Sequence, residues 1–126
     1  MKPPGRKPDR GSASLEMAVI MPVVLLLTFG PIQAGFWFHG RSVILAAAQE
    51  CARATATVTG TTADGAAAGA SFAARAGNGL VNNISVAPSR TATTARCTIT
   101  ANGMSLVPGF PVAITQTASV PVERIT

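Results

Sequence analysis

Leu15-Glu16-Met17-Ala18-Val19-Ile20-Met21-Pro22-Val23-Val24-Leu25-Leu26-Leu27-Thr28-Phe29-Gly30-Pro31-Ile32-Gln33-Ala34-Gly35-Phe36-Trp37-Phe38 is the stretch whose length decides the architecture of this chain. Its polar exceptions are Glu16, Thr28 and Gln33. At a rise of 1.5 Å per residue, about 24 helical residues extend roughly 36 Å, enough to cross roughly 30 Å of bilayer hydrocarbon. A removable secretory signal would have an apolar region of only about 7–15 residues, closed by a small-x-small site. Here the run continues through Pro31-Ile32-Gln33-Ala34-Gly35 into three aromatic residues, and Ile32 breaks the small-x-small spacing before Ala34. A membrane anchor is therefore favoured over a signal. Pro22 and Pro31 each remove a helical hydrogen bond, to Ala18 and Leu27 respectively, which predicts kinks or short melted stretches acting as joints. Phe36, Trp37, Phe38 and His39 predict an aromatic belt at the outer interface.

Charge supplies a direction for the anchor. The chain has 126 residues and a net charge of +5. Lys2, Arg6, Lys7 and Arg10 against Asp9 place +3 of it in the first ten residues and leave +2 for the remainder. Basic residues beside a first span are retained in the cytoplasm, so the N-terminus is expected inside and the C-terminus outside. No basic face with aromatic platforms follows, which argues against nucleic acid as a partner. The expected division is a basic cytoplasmic leader at residues 1–11, a transmembrane helix at 12–39 and an extracytoplasmic α+β domain at 40–126.

Beyond the membrane the helical period persists from Gly40 to about Thr57. Val43, Ala47 and Cys51, with Ile44, Ala48 and Thr55 beside them, form an apolar stripe, and Arg41, Gln49 and Arg53 sit off it. A turn at residues 58–63 leads to Asp64, the expected N-cap of an alanine-rich second helix. Gly69, Phe72, Ala73 and Ala76 are expected along its buried face, and Gly77-Asn78-Gly79 stops it. The period then changes to alternation. Ile84 and Val86 oppose Ser85; Ala95, Cys97, Ile99 and Ala101 oppose Thr94, Arg96, Thr98 and Thr100; Val112, Ile114, Ala118, Val120 and Val122 form a third set, interrupted by Gln116. The fold class expected is α+β: a long N-terminal helix, transmembrane and then amphipathic, a short second helix, and a three-stranded antiparallel sheet packed on the outer helix.

So small a domain has a thin core and needs support from a disulfide, an anchor or a partner. Cys51 and Cys97 would both lie outside the membrane, where oxidising conditions permit a bridge. Closing a loop of about 47 residues would contribute roughly 4 kcal/mol, while two small buried thiols are the other reading. His39, the sole histidine, lacks partners at metal-ligand spacing, so no metal or other cofactor is expected. Glu50, Asp64 and Glu123 are the external acids and are too scattered for a general acid and base pair, so an enzyme is not expected.

Most unusual is the junction Arg10-Gly11-Ser12-Ala13-Ser14-Leu15-Glu16, where the basic leader meets the span at a carboxylate. An acid beside hydrocarbon calls for a partner or a function. A membrane peptidase cutting at the cytoplasmic edge needs a small residue so that backbone can enter its site, and Gly11 meets that need. Cleavage between Gly11 and Ser12 would create a free α-amine at Ser12 with Glu16 at the fifth mature position. Between staggered neighbouring subunits, that cation and anion could pair across chains in low dielectric, where the attraction far exceeds its value in water.

Gly11-Ser12-Ala13-Ser14-Leu15-Glu16 and the apolar helix after it resemble the class 3 signal of type IV pilin-like proteins. More closely, Glu16-Met17-Ala18-Val19-Ile20-Met21-Pro22 together with Ala48-Gln49-Glu50-Cys51-Ala52-Arg53 looks like the TadE family of pseudopilins, with the resemblance covering about residues 10–56. Met17 stands where the family usually has an aromatic residue, and Cys51 where it commonly has glycine. The resemblance implies a pilin-like fold and a minor, non-catalytic component of a tight-adherence (Flp-type) pilus or related secretion machine. Its partners would be a prepilin peptidase, other pilin-like subunits, the pilus assembly platform and membrane lipid. By the same carry-over Gly11 precedes the cut, Ser12 is the new terminus, Glu16 governs processing and assembly, and Pro22 is the helix kink. It also implies a single-pass cell-membrane protein that enters an extracellular filament if it joins the fibre. The competing reading is an unprocessed, membrane-anchored extracytoplasmic binding domain. Flp-type major pilins are much shorter, which favours a minor or priming subunit over the main filament subunit.

Overall fold

The computed structural model describes residues 2–5 and 10–125. Its elements, in chain order, are α1 (Arg10–Ala56), α2 (Thr62–Gly77), β1 (Val81–Arg90), β2 (Thr94–Gly103) and β3 (Val112–Pro121), the α+β arrangement that the periodicities imply. The chain divides into two compact units, Met1–Ile32 and Gln33–Thr126, and α1 contributes to both. This boundary falls inside the apolar run, because Gln33 and Trp37 already make contacts within the second unit.

In the first unit α1 continues without interruption through Pro22 and onward past Pro31, so no melted stretch forms at either proline. Each ring deletes one backbone donor, and the bonds on either side hold the helix together. Leu15, Leu26 and Leu27 are each more than 70% exposed, so their apolar surface has no protein core to enter within this chain. Thr28 Oγ1 donates to the Val24 carbonyl at 2.8 Å, which satisfies one of the polar exceptions inside the helix. This helix is long and apolar enough to cross a membrane.

In the second unit the outer part of α1 buries Val43, Ile44, Ala47, Ala48, Cys51, Ala52 and Thr55. Arg41, Gln49 and Arg53 stay exposed, so the stripe read from the 3.6-residue period is the face that packs. Trp37 is half-buried against this core, with the Arg41 guanidinium 5.5 Å from its ring centroid and Phe38 edge-on at 5.0 Å. The expected aromatic belt is therefore divided: Trp37 closes the core, and Phe38 and His39 are exposed.

Helix α2 begins one turn earlier than the sequence suggests. Thr61 is its N-cap and Asp64 is the third helical residue, the two joined as a reciprocal capping box. The Asp64 amide donates to Thr61 Oγ1 at 3.1 Å, and the Thr61 amide donates to Asp64 Oδ2 at 3.0 Å. Asn78 ends the helix in the left-handed region at φ 45°. The buried face is Gly65, Gly69, Ala73 and Gly77, with Phe72 half-buried and Ala76 exposed. A four-residue spacing of small side chains replaces the expected set because α2 lies directly on α1. A Cβ placed on Gly69 would lie 2.9 Å from Cys51 Cβ and 3.2 Å from Ile99 Cδ1, so only glycine permits this approach.

The sheet has strand order β1-β2-β3, all neighbours antiparallel. Central β2 buries Ala95, Cys97, Ile99 and Ala101 on its inner face. On β3, Ile114 is buried and Gln116, Ala118 and Val120 are half-buried in the same alternation, so Gln116 keeps the register rather than breaking it. Strand β1 carries a bulge between Asn82 and Ser85, with Asn83 at φ 50°. The extra residue lets Val81 and Ile84, which opposite parity would put on different faces, both pack toward the core. Cys51 and Cys97 are joined in a disulfide with their Cα atoms 6.0 Å apart, tying α1 to the central strand.

Candidate functional site

The junction residues occupy the beginning of α1. Arg10 is the first helical residue, and Gly11, Ser12 and Glu16 follow in the same helix, all three exposed. Of the basic leader, Arg6, Lys7 and Asp9 lie outside the described residues, as does the side chain of Arg10. Ser12 and Glu16 are four residues apart, which puts them on one helix face with about 6 Å of axial rise between them.

Gly11 has no packing reason to be glycine. A Cβ built there meets nothing within 4 Å, and glycine in a helix costs roughly 1 kcal/mol relative to alanine. Among the described residues the surroundings would accept a larger residue here, as they would at Gly30 and Gly35 in the same helix. The Gly11–Ser12 peptide also lies in the first turn, where amides lack intrahelical acceptors and the helix opens most readily.

Glu16 is the seventh residue of the uncut helix, and the first turn contains no acid. The macrodipole favours anions only near a helix N-terminus. Cleavage after Gly11 would move the start of the helix to Ser12, bringing the carboxylate to the fifth position and adding a cationic amine one turn before it.

The three polar exceptions of the apolar run therefore have different fates. Thr28 bonds back to its own helix. Gln33 Nε2 donates to the Met104 carbonyl at 3.2 Å, and its Oε1 accepts from the Leu106 amide at 2.8 Å. Glu16 stands exposed at the junction itself. Pro22 and Pro31 both lie inside the helix that carries it.

Sequence reasoning missed Gln33 and Arg90, whose partners are distant in the chain. Arg90 Nη1 donates to the carbonyls of Thr57 at 2.8 Å and Gly60 at 3.0 Å, and also to that of Thr55, so one guanidinium caps the C-terminal end of α1. The Glu123 amide adds a bond to the Ala56 carbonyl at 2.9 Å. A basic residue closing a strand was the only local sign of Arg90, and its sequence position does not say which helix end it meets. Among the described residues, no three His, Cys, Asp or Glu side chains come together, and both cysteines are held in the disulfide.

No curated protein and no solved structure matches the chain significantly. The model of the family described as TadE-like protein matches residues 11–53. That match begins at Gly11, includes Ser12 and Glu16 and stops three residues before the end of α1, so it follows the helix and leaves α2 and the sheet outside. The similarity to TadE-like proteins is thus confined to residues 11–53, the segment that carries the whole junction.

Proposed function

We propose that the chain is a minor pilin-like (pseudopilin) subunit that takes part in assembling a Flp-type, tight-adherence pilus or a related secretion machine. It is non-catalytic, its N-terminus is cytoplasmic, and a prepilin peptidase trims it between Gly11 and Ser12. The observation that carries this reading is the ordered set Gly11, Ser12 and Glu16 opening the helix of the TadE-like segment. Trimming leaves the Ser12 amine and the Glu16 carboxylate one turn apart. In an assembly, the amine of one subunit meets the carboxylate of its neighbour. At 4 Å such a pair is worth about 1 kcal/mol in bulk water and about 4 kcal/mol at an effective dielectric near 20. That difference makes the pair an assembly determinant at a partly desolvated subunit contact. Pro22 and Pro31, each lacking one helical bond, give the helix points at which to adjust as it packs among other pilin-like subunits and the assembly platform.

Mass spectrometry of the N-terminus, with and without a co-expressed prepilin peptidase, tests the proposal. A chain starting at Ser12 only when the peptidase is present is the expected result, and Gly11→Val should leave the leader attached. Glu16→Leu should enter the assembly less readily than wild type. An intact leader in the presence of active peptidase would instead support the unprocessed, membrane-anchored binding domain.

A further inference from the structure

Residues 104–111, between β2 and β3, form an exposed apolar loop. Val107 is 55% exposed and Phe110 70%, with Met104 and Leu106 exposed beside them. No charged residue occurs between Arg96 and Glu123. On a water-facing loop this composition is unfavourable, and an exposed apolar patch of this kind marks an interaction surface.

The two hydrogen bonds of Gln33 say which surface. They fasten the Met104 carbonyl and the Leu106 amide to a residue that belongs to the apolar run itself. About 20 helical residues cross the hydrocarbon, and counting that number from Glu16 reaches Phe36, beyond Gln33. The loop backbone is thus held level with the last turn of the span. An apolar cleft of about 410 Å³ opens at the same place, lined by Gln33, Ser105, Val107, Phe110, Pro111 and Val112.

Backbone satisfaction points the same way. Polar main-chain groups entering a bilayer must have internal partners. The amides of Met104, Leu106, Val107 and Phe110 donate to Leu80, Gln33, Ser105 and Val107 respectively, and Pro108 and Pro111 have no amide to satisfy. Most of the loop can leave water without stranding a donor.

We propose that this loop is a second membrane contact: Val107 and Phe110 insert among the acyl chains of the leaflet nearest the domain, and Gln33 latches the loop at that depth. The inference rests on residues 15–38 spanning the bilayer and is independent of cleavage at Gly11. The partner is lipid, by continuity with the span and by the absence of charge.

The test uses the full chain in phosphatidylcholine vesicles with brominated acyl chains, which quench indoles in the hydrocarbon. Three single-tryptophan chains, each carrying Trp37→Phe, place the indole by Val24→Trp in the span, by Phe110→Trp in the loop, or by Ala92→Trp in the hairpin at the far end of the sheet. Phe110 is exposed, so the substitution does not disturb the core. The expected result is blue-shifted emission that loses at least half its intensity for the Val24 and Phe110 positions, with the Ala92 position unquenched. Quenching at Val24 alone overturns the loop contact, with red emission at Phe110 indicating water and blue emission indicating a second protein chain over the loop. Equal quenching at Phe110 and Ala92 overturns it in favour of general adsorption of the domain. An unquenched Val24 position overturns the anchor, and the loop contact with it.

Discussion

In the unit Met1–Ile32 large aliphatic side chains stand exposed on a single helix, whereas in the unit Gln33–Thr126 most of the buried side chains are small. Ala47, Ala48, Ala52, Ala73, Ala95 and Ala101 make up much of the second unit's core, and only Ile44 and Ile99 are large aliphatics with no exposure. Hydrophobic residues alone therefore do not locate the core. Burying a Leu or Ile contributes roughly 1.5–3 kcal/mol, and an alanine methyl much less, so the second unit gains little per residue from transfer out of water. It compensates with close approach, a covalent bridge and fixed helix ends. The first unit exposes large aliphatic side chains that the rest of this chain does not cover, on a helix long and apolar enough to cross a membrane.

The largest test of this contrast is removal of the bridge. Cys51→Ala with Cys97→Ala should destabilise the second unit by about 4 kcal/mol, since the bond closes a long loop in the unfolded chain. Urea unfolding of the full chain in detergent micelles, followed by near-ultraviolet circular dichroism, reads this loss. Helical amides before Ile32 should keep their hydrogen-exchange protection. If they lost it along with β2, the two units would be one cooperative structure and the contrast would fail.

Ile99→Ala comes next, with an expected loss of about 3 kcal/mol. Ile99 is fully buried, and its Cδ1 lies in the tight space over Gly69, between α2 and the sheet. The same urea titration measures it. A loss below about 1 kcal/mol would mean that small neighbours collapse into the gap, and that close packing is less specific than the glycine stripe implies.

Arg90→Met retains most of the side-chain length while removing the guanidinium. The carbonyls of Thr55 and Gly60 lose a charged donor in a half-buried setting, and the expected cost is about 2 kcal/mol. Faster hydrogen exchange at the last turn of α1, before any global unfolding, would distinguish loss of a helix cap from general destabilisation.

These residues also show how much of the fold can be read in advance. The long apolar helix, its amphipathic continuation and the alternation of β2 were legible because each is a local run or repeat of apolar side chains. The small-residue face of α2 was not, since glycine scores as neither apolar nor periodic until a second helix is known to lie against it. Asp64 looked like a cap because it is acidic; Thr61 is the cap, and the reciprocal bond makes the pair one device. The parity of β1 was hidden by its bulge. At the junction, the order of Gly11, Ser12 and Glu16 was readable, whereas the bonds of Gln33 and Arg90 depend on partners 30 or more residues away.

The smallest expected effect completes the comparison, because it repeats an aliphatic-to-alanine truncation where there is no core. Leu26 is 73% exposed, so Leu26→Ala opens no cavity and should change the urea stability of the second unit by less than about 0.5 kcal/mol. The lost methylenes should instead weaken membrane partition, because Leu contributes favourably to insertion near a helix centre. Reconstitution into vesicles, followed by carbonate extraction, separates the two outcomes. A truncation that leaves unfolding unchanged while lowering the membrane-retained fraction would show that the side chain is solvated by lipid alone. A stability loss comparable with that of Ile99→Ala would require Leu26 to have a protein partner in the micelle, such as a second copy of the helix, and would erase the distinction between the two units.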